Sequence, residues 1–240
     1  MAVAEAGIEG IVLKHKPEMR LIPAGKFMMG DPTEEGDPDE RPRHEVEVSE
    51  FLMDEHDTTF AFWKEVKEWA TAHGYQFDNE GKGREEDHPV TDVNWYDGVK
   101  WCNARSEMEK LEPCYYTDIE HKNVYKTGRV DLTNAMVKWD ATGYRLPTEA
   151  EYEKAARGGL DGHHFPWESK GPGFEQFIDK SKANYFGNEG GTTSVKKYKP
   201  NGFGLYDPVG NVWKWMWDRW DSEWYKKPES TAKDCKGPDA

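Results

Sequence analysis

The segment Gly143-Tyr144-Arg145-Leu146-Pro147-Thr148-Glu149-Ala150-Glu151-Tyr152-Glu153-Lys154-Ala155-Ala156-Arg157 leaves the chain fewer local choices than any other. Pro147 bars Leu146 from helical dihedrals, so the segment is entered extended. Thr148 suits an N-cap, and Glu151 three residues on can reach back to it, which makes a capping box. Glu149 and Glu151 also put negative charge at the positive end of the helix dipole. Tyr152, Ala155 and Ala156 fall at helical spacing and predict one buried face. Gly158-Gly159 supplies the stop. Taken alone, this is the structural signature of a short, well-started helix.

Elsewhere the patterning is shorter in range. Met19–Pro23 and Lys26–Met29 are apolar runs around Ala24-Gly25, which predicts a hairpin. The alternation His44-Glu45-Val46-Glu47-Val48 predicts a half-buried strand, continued by Phe51 and Met53 past an irregularity at Ser49-Glu50. Thr58 or Thr59 can cap a helix carrying Phe62, Trp63, Val66, Trp69 and Ala70, closed by Gly74. Asn94, with Asp97 at N3, starts another, in which Tyr96, Val99 and Asn103 share a face beside Cys102. Lys122–Asp140 reads as a polar hairpin around Thr127-Gly128, and residues 158–200 as a long irregular loop. In Val212–Trp217 the residues alternate, so a strand would show Trp213, Trp215 and Trp217 on one face, as core or as a stacking platform.

The remaining composition narrows function more than fold. A net charge of −14 makes nucleic acid an unsuitable partner. With 36 % hydrophobic residues but 11 Trp, the core must be built from few, large aromatic side chains. No run is long enough to cross a bilayer, and Met1–Gly10 has no basic-then-apolar pattern, so no membrane partner is expected and cytoplasm is the expected compartment. The length suits a single domain over residues 17–240 after a lead-in, residues 1–16. Cys102, Cys114 and Cys235 are odd in number and far apart, which is no disulfide framework. Cys102 and Cys114 read as small buried hydrophobes, Cys235 as part of a polar tail.

Gly-Tyr-Arg-Leu-Pro-Thr-Glu-Ala-Glu-Tyr-Glu resembles the hallmark segment of the formylglycine-generating enzyme (sulfatase-modifying factor) family. Three further segments agree with it in order: Met19–Met29 running on to Gly30, Asp87–Asn103, and Asn201–Trp217. Arg145, Thr148, Glu151, Asn211, Trp213 and Trp215 fall on its motif positions. The resemblance implies an α+β fold of the C-type-lectin-like class, with short antiparallel strands, two or three helices and long ordered loops. It also implies an oxidoreductase that converts a sulfatase cysteine to formylglycine with molecular oxygen.

That activity depends, in the family, on copper(I) held by a close pair of cysteines in a segment beyond the Trp-rich stretch. Copper(I) is soft, and two thiolates leave it open to oxygen and a third thiolate. This sequence reaches Ala240 without such a pair. The expectation is therefore a truncated or fragmentary member, non-catalytic as given. The alternative is a lectin-like binding module for a peptide, glycan or protein. A sister group with a three-histidine iron site is set aside, because the eight histidines form no helical i, i+4 pair. The resemblance further implies structural calcium at Asn184, Tyr185, Asn188 and Glu189. A second calcium position near Val209, Gly210, Asn211 and Val212 is disfavoured, since Lys214 stands where relatives carry a carboxylate.

Overall fold

The computed structural model describes residues 13–31, 36–167, 179–185 and 187–238; the first twelve residues of the expected lead-in lie outside these. Among the described residues, four strands and three helices occur in the order β1 (Met19–Ile22), β2 (Gly25–Met29), β3 (His44–Val48), β4 (Phe51–Asp54), α1 (Phe60–Ala72), α2 (Trp95–Met108) and α3 (Glu149–Arg157). Short 3-10 turns lie at Pro38–Glu40, Asn134–Met136, Trp224–Lys226 and Pro228–Thr231. The architecture is α+β, with antiparallel strands and long irregular connections.

The expected hairpin between Met19–Pro23 and Lys26–Met29 does not form. β1 pairs with β4, from Met19↔Asp54 to Ile22↔Phe51, and β2 pairs with β3, from Gly25↔Val48 to Met29↔His44. The two ladders keep one register, so they are a single long hairpin, bent where Pro23-Ala24 faces Ser49-Glu50. Pro23 has no N–H to give a ladder, and that interrupts pairing without reversing the chain. Phe51 and Met53 thus continue the strand past the irregularity at Ser49-Glu50, in the same register but with the ladder interrupted there.

α1 starts on the Thr59 hydroxyl, which accepts from the Phe62 amide, and α2 starts on Asn94, which accepts from the Asp97 amide. The two helices pack around Phe62, Val66, Val99 and a stacked Trp63–Trp101 pair with centroids 5.8 Å apart. α2 is buried far beyond the predicted face: Asp97, Lys100, Asn103, Arg105 and Ser106 are all interior, while Tyr96 is only half-buried. Each of these five α2 side chains is partnered, as burial demands. Arg105 grips Asp54 at 2.5 and 3.1 Å, Asn103 donates to the Tyr115 and Tyr125 carbonyls, and the Lys100 ammonium donates to the Gly128 carbonyl.

The polar hairpin expected over Lys122–Asp140 is absent. Its backbone bridges outward instead, Val124 to Tyr116 and Val137 to Tyr115, and Tyr125, Leu132 and Val137 enter the core. Large apolar side chains at those positions gain more from burial than a solvated two-stranded loop could offer. The polar tail also departs from expectation. Cys235 is buried, and Asp234 ties the tail to β3 through its amide to the Glu47 carbonyl and its carboxylate to Ser49.

Candidate functional site

α3 behaves as its sequence predicts at both ends. Thr148 and Glu151 close the capping box, and Gly158 ends the helix in the left-handed region at φ 61°. Glu151 does more than cap: both its carboxylate oxygens accept from the Arg145 guanidinium at 2.6 Å, and the Arg145 charge lies 5.1 Å from the Trp139 ring centre. A bidentate pair of this kind fixes orientation as well as adding attraction. The buried strip is Ala150, Glu151, Lys154 and Ala155, with Tyr152 and Ala156 only half-covered. Polar positions join the interior because each has a partner there, Glu151 with Arg145 and Lys154 with the Gly25 and Val48 carbonyls.

The Trp-rich stretch is not a strand, and its indoles do not share a face. Trp217 is buried in the core, stacked on Tyr115 at 5.4 Å, whereas Trp213 is fully exposed at 102 % and Trp215 is half exposed at 51 %. The reason lies just upstream. Asn211 takes a left-handed φ of 61°, and its side chain is held by Thr193, so the backbone enters the stretch already turned. Downstream, the Trp217 amide donates to the Pro147 carbonyl and the Trp95 indole donates to the Met216 carbonyl. These single bonds replace a ladder. Trp215 is anchored by its indole N–H on the Val93 carbonyl, which leaves Trp213 as a projecting aromatic on a fixed backbone.

Between these two indoles Lys214 turns inward. Its ammonium donates to the Gly210 carbonyl at 2.8 Å and the Val212 carbonyl at 3.1 Å, and lies 3.4 Å from the Asp57 carboxylate. Burial pushes the Asp57 carboxyl up to about 6; Lys214 opposes that shift and nearby Asp207 adds to it. Asp207 is itself buried, with its pKa raised by burial and one carboxylate oxygen unpartnered. Asp57 and Asp207 escaped the sequence reading, since nothing local marks either one as interior.

The four residues of the expected calcium position share one loop. Asn184 donates to the Gly191 carbonyl and to Asn211, and Asn188 donates to the Lys180 and Ala183 carbonyls. The Glu189 carboxylate is paired with Lys197 and the Tyr198 hydroxyl, and the Tyr185 carbonyl accepts from the Asn188 amide. A hard cation needs converging oxygens; here amide nitrogens point at the loop carbonyls, and the one carboxylate is engaged elsewhere. This donor set fits a self-bonded loop rather than calcium.

The three thiols are buried and free, Cys102 and Cys114 within one core cluster and Cys235 outside it. Burial pushes Cys102 up to about 12 and Cys114 up to about 11, and raises Cys235 as well. Thiolate is the form that binds soft metals and attacks. Burial therefore disfavours the thiolate form of all three sulfurs in the protein as it stands.

The family model described as sulfatase-modifying factor enzyme 1-like domain matches residues 9–237. The chain is 33 % identical over 261 residues to the formylglycine-generating enzyme of Streptomyces coelicolor, covering 99 % of this chain and 79 % of that one. It is 32 % identical over 208 residues to chaperone protein LppX of Paenibacillus barcinonensis, covering 77 % of this chain and 66 % of that relative, so it spans just under two thirds of the latter's length. Among solved structures, Treponema denticola variable protein 1 superposes with a TM-score of 0.65 at 31 % identity, covering 92 % of this chain and 78 % of that one.

Proposed function

Because the chain belongs to the sulfatase-modifying factor enzyme 1-like family, we propose that its 240 residues keep the scaffold as a polypeptide-binding module and do not themselves oxidise cysteine. The observation that carries this reading is Trp213, wholly exposed on a backbone pinned upstream by Asn211 and downstream by Lys214 and Trp215. An exposed indole on a rigid support can bury large area against a partner at small entropic cost. The buried, protonated state of all three thiols supports the second half of the reading. One relative's description as a chaperone protein points the same way.

The test uses a fluorescently labelled, cysteine-containing peptide with copper(I) under air. Binding is followed by anisotropy and aldehyde formation by mass spectrometry. The expected result is saturable binding, weakened about tenfold by Trp213→Ala, with no aldehyde. Turnover to formylglycine, or binding indifferent to both Trp213→Ala and Trp215→Ala, would overturn the proposal.

A further inference from the structure

β2 is an edge strand, and its open edge borders a groove. Its outward backbone groups can be identified from the register. The Glu47 carbonyl accepts from the Asp234 amide, so Glu47 faces away from β2. Its cross-strand partner is Lys26, which must therefore face away from β3. Alternation then turns Lys26 and Met28 to the open side, together with Gly30, whose N–H and C=O are indeed taken there by Glu153 and Arg157 of α3. No third strand joins β2 and β3 among the described residues. The amides and carbonyls of Lys26 and Met28 are thus presented without a ladder partner.

The groove beside this edge has a volume of about 390 Å³ and is lined by Pro23–Met28, by Leu160 and Phe203, and by Lys154; the carboxylates on its rim, Glu45 and Asp161, are already paired with Lys26 and Arg43. Lys154 is only 6 % exposed. Its ammonium donates to the Gly25 and Val48 carbonyls, which leaves its third N–H free, and no carboxylate lies within ion-pair distance of it among the described residues. Asp234 and Glu47 act on this ammonium only from beyond ion-pair distance, so a buried cation held directly by carbonyls keeps room for a closer countercharge.

These features converge on one kind of occupant. We propose that the β2 edge is a docking site for an extended segment of a partner polypeptide, which adds a strand at Lys26 and Met28, places an apolar side chain against Phe27, Leu160 and Phe203, and sets an acidic side chain on the Lys154 ammonium. Strand addition supplies the main-chain bonds, and the groove and ammonium supply the choice of sequence. The surface is separate from the Trp213 ridge, so each proposal can fail alone.

The probe is a labelled hexapeptide alternating Val or Phe with Thr and carrying one Glu. It is titrated against the full chain, beside a copy with Gln for Glu and a copy N-methylated at alternate amides. The Glu peptide is expected to bind, the Gln peptide to bind about tenfold more weakly for loss of the charge-assisted bond, and the N-methylated copy not at all. Hydrogen exchange should slow at the Lys26 and Met28 amides when the Glu peptide is present. Met28→Pro deletes an edge N–H that β3 does not use, so the variant should fold and lose the peptide. Tolerance of N-methylation overturns the proposal, as does unchanged exchange at both amides. Equal binding of the Glu and Gln peptides removes Lys154 from it, and footprinting at Trp213 instead refutes this surface outright.

Discussion

Replacing Lys214 by Met tests whether an internal ammonium holds the loop through Gly210–Trp217 against the Asp57 carboxylate. The two charges are 3.4 Å apart with most of each side chain covered. At an effective dielectric of about 20, that attraction is worth roughly 5 kcal/mol. Removing the lysine recovers its own desolvation cost and lets Asp57 take up a proton at pH 7, which caps the ionic part, so a net loss of about 2 kcal/mol is expected there. The pH dependence carries the diagnosis. Asp57 is raised from 3.8 to about 6, so the folded state binds the extra proton and stability falls as pH rises between those values, then levels off. Without Lys214 the folded pKa climbs further and the fall extends to higher pH. At pH 5 Asp57 is largely neutral with or without the lysine, and the loss should shrink to about 1 kcal/mol, the two hydrogen bonds to carbonyls. Urea unfolding at both pH values, read by circular dichroism, measures this. Asp57→Asn in the Lys214→Met background should erase the pH-dependent part. An equal loss at pH 5 and pH 7, or a loss below about 1 kcal/mol at pH 7, would refute the ionic account.

Four further outcomes are expected. Thr148→Ala should cost about 1–2 kcal/mol in urea unfolding, since it strips one half of a capping box whose other half, Glu151, is also bound to Arg145. Trp217→Ala should cost about 3–5 kcal/mol, while Trp213→Ala should leave the unfolding midpoint unchanged, because only the first is in the core. Iodoacetamide at pH 8 should label none of the three cysteines in the native protein within the time that labels all three in urea, the readout being intact mass. Calcium titration should leave the melting temperature unmoved, because the Asn184–Glu189 loop is already bonded to itself; a rise with calcium concentration would show that the loop rearranges around the ion.

What could be read in advance was local. The capping box at Thr148, the caps at Thr59 and Asn94 and the stop at Gly158 each depend on atoms within four residues of one another, and each appears where expected. Pairing was not local. The runs around Ala24-Gly25 look like two arms of a turn, yet they are one arm of a longer hairpin whose other arm lies beyond the 30–43 connection. Strand period alone likewise grouped Trp213, Trp215 and Trp217, although their exposures run from full to nearly none. An alternating pattern predicts shared faces only if a neighbouring strand holds the backbone extended, and none does here among the described residues.

By itself, then, the sequence determined the helix starts, through short-range sterics and capping chemistry, and the family and α+β class only through the four ordered motifs that carry the resemblance. Only the tertiary structure decided which indole is buried, that Cys235 leaves the solvent, that Lys214 and Asp57 meet, and that the β2 edge stays open beside Lys154. These outcomes depend on the desolvation of groups far apart along the chain. No window of residues carries that information until packing has chosen which surfaces lose their water.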